Sequence, residues 1–182
     1  DRASRTALGA HYGLSYEQID ELVFNRESAL RASVGEISEE EHWASIASHL
    51  GFNRSEIPAF REAFWDGDRE DEELLELIDS FRPRLRTALL SNAWSNARRD
   101  IGLRHNILRV FDVVIFSAEL KMAKPNPRIY QHALDLLGVE PEEAIFVDDM
   151  PANVEAANAL GIHGIQFLNT QQIIHDLQAR IP

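Results

Sequence analysis

AIFVDDMPAN, residues 144–153, is the stretch on which the fold reading turns. AIFV has the apolar composition of a short strand entering a core, and two carboxylates, Asp148 and Asp149, stand side by side where that strand should end. Adjacent negative charges at a buried edge repel each other, so a cation, supplied by the fold or by a metal ion, is expected beside them. The surrounding chain repeats the pattern: RTALLSNA (86–93), FDVVIFSAEL (111–120) and GIHGIQFL (161–168) are further apolar runs leading into polar turns. Helical stretches at about 96–108, 127–137 and 152–160 separate them, the last two closed by Gly138 and Gly161. Strand and helix in alternation predict an α/β core built on a parallel sheet with helices on both faces. In such sheets the functional groups gather at the carboxyl ends of the strands.

Residues 14–80 read differently, as helices joined by short links. Ser15 with Gln18, and Ser38 with Glu41, have capping-box spacing, and Gly51 is placed to end the second helix. Ile19, Leu22, Val23 and Leu30 supply one apolar stripe; Ile57, Phe60, Phe64 and Trp65 anchor a third helix; a fourth starts among the carboxylates after Asp68. Four helices of this kind predict a small bundle. The acidic runs at residues 39–41 and 70–73 read as solvated helix faces and first-turn charges.

The chain has 182 residues, enough for one main layered core with an accessory region. Its formal charge of -12 argues against a nucleic-acid surface and points to a small-molecule partner. There is no cysteine, which excludes disulfides and thiolate chemistry. No apolar run approaches a membrane span and no signal-peptide pattern is present, so no membrane partner and a cytoplasmic location are expected.

The predicted strand ends bring Ser91 and Asn92, residues 117–121, and Asp148 with Asp149 to one rim, which Lys124 joins from the segment that follows. An anion fits there: the Ser91 hydroxyl and the Asn92 backbone amide can donate to phosphoryl oxygens, and Lys124 adds a positive charge. Asp148 and Asp149 cannot bind such an anion directly, but they can hold Mg²⁺, which bridges carboxylates to phosphates.

In this combination the chain resembles the haloacid dehalogenase-like hydrolases. LLSNAW is similar to the second motif of that superfamily, with Ser91 as the phosphate-binding hydroxyl. The block KMAKPNPRIYQHALDLLGVEPEEAIFVDDMPANVEAANALG looks like its third and fourth motifs joined. The resemblance implies Lys124 as the catalytic lysine, Asp149 as the principal Mg²⁺ ligand, Asp148 as the auxiliary acid, and Asn153 as a support for the metal's surroundings. It further implies a three-layer, Rossmann-like parallel-sheet core at residues 1–13 and 81–182, with an inserted four-helix cap at 14–80. The family's nucleophilic Asp lies in a DxDG or DxGG motif at the end of a first core strand, between the strands ending in FVDD and LLSN. The sequence contains no such motif, and Asp1 is not assigned to that role. The first strand is therefore expected to be absent from the chain, with two inner edges left to cover.

The function so implied is Mg²⁺-dependent hydrolysis of a small phosphorylated molecule through an aspartyl-phosphate in the complete protein, with no turnover by the 182 residues alone. One alternative is a 2-haloacid dehalogenase, which in this superfamily works without metal. The other is a catalytically inactive binding or structural chain, presenting Trp43, Phe60, Phe64 and Trp65 to a partner or to a second copy, although these aromatics read first as bundle core. His42 and His49 share a helix face but stand too far apart to chelate one ion; His132, His163 and His175 are isolated; Arg98, Arg99 and Arg104 read as solvated. Arg26 and Trp94 are candidates for the cleft.

Overall fold

Local sequence signals set most of the helix ends. The structure, a computed structural model, describes residues 2–82, 84–104 and 106–181, without the side chain of Arg104; Asp1 lies outside it. After α1 (Ala3–His11), Ser15 accepts from the Gln18 amide at 3.2 Å and donates its own amide to Gln18 Oε1 at 2.8 Å, opening α2 (Tyr16–Phe24). Following α3 (Glu27–Ser33), Ser38 and Glu41 repeat the reciprocal pair at 3.1 and 2.8 Å and open α4 (Glu39–Leu50). That helix stops at Gly51, whose φ of 77° gives the left-handed turn that a residue with a Cβ resists. Then come α5 (Ile57–Trp65) and α6 (Glu72–Phe81), the latter capped by Asp71.

Ile19, Leu22, Val23, Trp43, Ile46, Phe60 and Phe64 form the buried centre of the helical unit, with Leu8 and Tyr12 of α1 packed against them. Trp43, Phe60 and Phe64 are therefore interior side chains and do not present an aromatic surface. Leu30, expected on the apolar stripe, is 57% exposed. Arg5 of α1 pairs with Asp20 and Asp68 and donates to the Phe64 carbonyl, fastening α1 to α2 and α5. Helix α6 packs Phe81, Leu74 and Leu77 with Ile165, Ile173 and Leu177 of the second half of the chain.

All four predicted strands form: β1 (Ala88–Ser91), β2 (Val113–Phe116), β3 (Ile145–Asp148) and β4 (His163–Gln166). Between them lie α7 (Ala97–Arg104), α8 (Ser117–Leu120), α9 (Pro127–Leu137) and α10 (Pro151–Ala159), and α11 (Thr170–Arg180) closes the chain. The expectation of a three-layer, Rossmann-like sheet is overturned. The described residues are mostly helical, and the strands make two separate two-stranded parallel sheets, β1 with β2 and β3 with β4. A sheet is continuous only where neighbouring backbones share a ladder. Here the ladder is broken between β1 and β3, and the inner-edge carbonyl of Leu90 takes its hydrogen bond at 2.7 Å from the side chain of Lys124.

Around β3 the two faces alternate. Phe146 packs with Tyr130 and Ala157 below α9 and α10, while Ile145 and Val147 face Ile173 and Leu177 of α11. Gly164 sets how closely α10 lies on β4, because a Cβ there would come within 2.9 Å of Val154 and Asn158. Asn158 Oδ1 accepts from the Gly164 amide at 2.8 Å. This close seat carries the first turn of α10, and Asn153 with it, up to the end of β3.

Candidate active site at the strand ends

Three short segments make the rim: the end of β1 with residues 92–94, the segment through Lys124, and the end of β3 running into α10. Lys124 joins the two sheets. Its Nζ donates at 2.7 Å to Leu90 O and at 2.6 Å to Asp148 Oδ2. The ammonium also stands 5.5 Å from the Phe146 ring centroid. Both charged side chains are nearly out of water, at 9% and 6% exposure, so each supplies the compensation that the other's burial requires. The repulsion expected within the Asp148–Asp149 pair is thus met by a lysine.

Both oxygens of Asp148 are engaged. Its Oδ1 accepts from the Met150 amide at 2.9 Å and from Asn153 Nδ2 at 2.8 Å, while Oδ2 holds Lys124. Asn153 is itself fixed by Tyr130, whose hydroxyl donates to the Asn153 carbonyl at 2.9 Å. Burial, with the nearby Asp148 charge, pushes the Tyr130 phenol up to about 12, so it is a permanent donor. Asp149 contrasts with its neighbour: it is exposed, and among the described residues its carboxylate has no hydrogen-bond or ion-pair partner. The Ser91 hydroxyl is likewise unpartnered among the described residues.

Residues 92–94 are held on both sides. The buried Ser117 hydroxyl accepts from the Ala93 amide at 2.9 Å and donates to the Ala93 carbonyl at 3.2 Å. The Asn92 side chain accepts from the Lys124 amide at 2.8 Å and donates to the Lys124 carbonyl at 2.9 Å. Trp94 turns away from the rim into the helical unit, where its Nε1 donates to the Ala29 carbonyl at 3.2 Å and its ring lies 4.5 Å from that of His42.

The structure thus joins Asn92, Lys124, Asp148 and Asn153 in one hydrogen-bonded network, with Ser91 and Asp149 each one residue beyond a member of its bridge. Arg98 is spent on Glu119 and the Val114 carbonyl, and Arg99 pairs with Asp100. Glu39, read as a solvated charge, is 4% exposed: it accepts from Trp43 Nε1 and from Arg61, which also pairs with Asp100 of α7. His42 and His49 do not share an environment, since His42 is fully buried and His49 exposed. Arg26 is partly exposed. Sequence reasoning missed Tyr130 as a supporting residue; a tyrosine among the buried Ile129, Ala133 and Leu134 of one helix face was the available signal, because a buried hydroxyl seeks a partner.

Residues 3–161 match the family described as haloacid dehalogenase-like hydrolase. Among curated proteins, acyl-CoA dehydrogenase family member 10 of Mus musculus is 37% identical over 107 residues, 58% of this chain and 10% of that protein. The phosphorylated carbohydrates phosphatase of Thermotoga maritima is 33% identical over 93 residues, 51% of this chain and 42% of the phosphatase. The (S)-2-haloacid dehalogenase 1 of a Pseudomonas species is 35% identical over 81 residues, 44% of this chain and 36% of the dehalogenase. Each match therefore spans less than half of the relative's length. A predicted HAD-like family hydrolase from Porphyromonas gingivalis superposes with a TM-score of 0.77 at 25% identity, covering 100% of this chain and 91% of the other. A HAD family enzyme from Bacteroides thetaiotaomicron, solved in complex with magnesium and inorganic phosphate, gives 0.73 at 24% identity over 91% of this chain and 86% of the other.

Proposed function

Because the chain belongs to the haloacid dehalogenase-like hydrolase family, we propose that its rim is the binding and charge-stabilising part of a Mg²⁺-dependent phosphomonoester hydrolase acting on a small phosphorylated molecule. The observation that carries this reading is the division of labour at the rim. Among the described residues the rim side chains without partners are the Ser91 hydroxyl and the Asp149 carboxylate, which flank the residues of a buried lysine–aspartate bridge in the chain. A lysine ammonium has three donors, and Lys124 has given two to the protein. The third, with the Ser91 hydroxyl and the Asn92 backbone amide, suits the oxygens of a phosphoryl group.

Mg²⁺ is bound through one or two carboxylates together with water and phosphate oxygens. Among the described residues no three His, Asp or Glu side chains are grouped to hold a metal. The single free carboxylate of Asp149 beside an anion site fits that donor set, whereas Asp148, with both oxygens engaged, fits a supporting role. When bound, the ion supplies charge neutralisation to the phosphoryl group. Asn153 and Lys124 hold Asp148 still, and Asp148 in turn keeps the Lys124 side chain aimed across the gap between β1 and β3.

The attacking carboxylate of the resembled mechanism belongs to a DxDG or DxGG motif, and Asp148 is too fully engaged to replace it. Catalysis through an aspartyl-phosphate is accordingly proposed for the whole protein, and these 182 residues by themselves are expected to bind without turning over. The similarity to a curated phosphatase and to an enzyme crystallised with magnesium and phosphate supports this reading. The haloacid dehalogenase relative supports a metal-free alternative, against which the free Asp149 carboxylate weighs.

The test is hydrolysis of an aryl phosphate by the whole protein with and without chelator, beside halide release from a 2-haloacid. Phosphate release that needs Mg²⁺ and falls at least a hundredfold in Asp149→Asn is the expected result. Chelator-insensitive halide release with no phosphatase activity would assign the dehalogenase chemistry instead.

A further inference from the structure

The sequence reading uses only the backbone amide of Asn92, yet the placement of its side chain is the more specific feature. We propose that Asn92 is a positioning residue, whose amide group sets Lys124 in place across the gap between the two sheets. Its acceptor takes the Lys124 N–H at 2.8 Å and its donor reaches the Lys124 carbonyl at 2.9 Å. This is the donor and acceptor order of a backbone ladder rung, built here by a side chain where no strand pairing exists. Leu90, two residues earlier in the chain, accepts from Lys124 Nζ at 2.7 Å. The end of β1 therefore grips this lysine at both its backbone and its tip.

Asn92 has little freedom to do otherwise. Ser91 is the last residue of β1, and Ala93 is locked in both directions by the buried Ser117 hydroxyl. The side chain between them is aimed by its neighbours. Lysine is a long, flexible stem with rotamer freedom to lose, and anchoring its backbone helps keep Nζ 2.6 Å from Asp148 Oδ2. The Asn92 amide thus acts through Lys124 and not on a ligand.

The effect on anion binding rests on the phosphate-site reading above, whereas the geometry does not, and the experiment separates the two. In the 182-residue chain, proton-detected 15N spectra of lysine ammonium groups are expected to show one slowly exchanging signal that disappears in Lys124→Met. In Asn92→Ala that signal should broaden beyond detection or shift to the position of solvated lysines. Asn92→Asp, nearly isosteric, retains the acceptor but loses the donor, and should leave a weakened signal; it serves if the alanine variant does not fold. Urea unfolding of Asn92→Ala, Lys124→Met and the double variant adds the coupling, with the combined loss expected to be smaller than the sum of the single losses. Unchanged ammonium spectra in both Asn92 variants, or strictly additive losses, would overturn the proposal. Inorganic phosphate is the probe for the consequence: its affinity, with Mg²⁺ present, should fall about tenfold in Asn92→Ala, and Asn92→Ala should cause no further fall when it is added to Lys124→Met. Absence of phosphate binding by the unsubstituted chain would count against the phosphatase reading, and the spectra and unfolding would still decide the role of Asn92.

Discussion

Acidification should loosen the helical unit through one histidine. His42 is fully buried beside the rings of Trp43 and Trp94; its Nδ1 meets the Ser28 hydroxyl at 2.9 Å, and its Nε2 has no hydrogen-bond partner among the described residues. Burial lowers its pKa from 6.5 to about 4, the Arg26 charge acting in the same direction and the Val23 backbone against it. The unfolded chain therefore takes up this proton before the folded one does. Stability is fully present above pH 6.5 and is lost as the pH falls toward 4, below which the loss levels off. At about 1.4 kcal/mol for each pH unit between the two values, the loss is about 2 kcal/mol by pH 5 and about 3 kcal/mol by pH 4. Urea unfolding followed by tryptophan fluorescence at pH 7.5 and pH 5, in parallel for the unsubstituted chain and His42→Leu, measures it. His42→Leu should be less sensitive to acid by about 2 kcal/mol. Equal pH dependence of the two proteins would refute the assignment, since the remaining titrating groups are common to both.

Two further outcomes are expected. Asp148→Asn removes the charge facing a lysine that is 9% exposed, and should cost about 3 kcal/mol in urea unfolding, because a buried cation without its partner is worse than no pair at all. Trp94→Ala empties space shared with Phe24, His42, Trp43 and Trp65; it should destabilise by about 3 kcal/mol and raise hydrogen exchange at residues 91–94 together with α3. Exchange that rises in the cap alone would show that Trp94 does not link it to the rim.

What could be read in advance divides along a physical line. Caps and terminators are local: Ser15, Ser38, Gly51 and Gly138 each specify a helix end within four residues, and each stands where the spacing put it. Strand existence is also local, and ALLS, VVIF, IFVD and HGIQ all form. Strand pairing is not, because which edges meet depends on what lies beside them: the resemblance implied one three-layer sheet core, and the four strands make two separate pairs. Burial of charge was equally hidden. Glu39 heads an acidic run that looks solvated, and only its reach to Arg61 and Trp43 Nε1 explains why it lies inside. Ser91, Asn92, Lys124, Asp148 and Asn153 were recognisable as a set, but not the use of the Asn92 side chain or the support of Asn153 by Tyr130. Those depend on directions that sequence spacing does not contain.

The ties between the helical unit and residues 94–100 have a mechanical consequence. Trp94 reaches the Ala29 carbonyl, Ser95 receives the Glu39 amide, Asn96 donates to Glu40, and Asp100 holds Arg61. All four fall in residues 94–100, directly after the SN pair of the rim. Gly35 also lies against Ala118, and α6 packs on α11, so these ties are one seam among several. They run straight into the turn carrying Ser91 and Asn92, so strain in α3, α4 or α5 reaches that turn along residues 94–100.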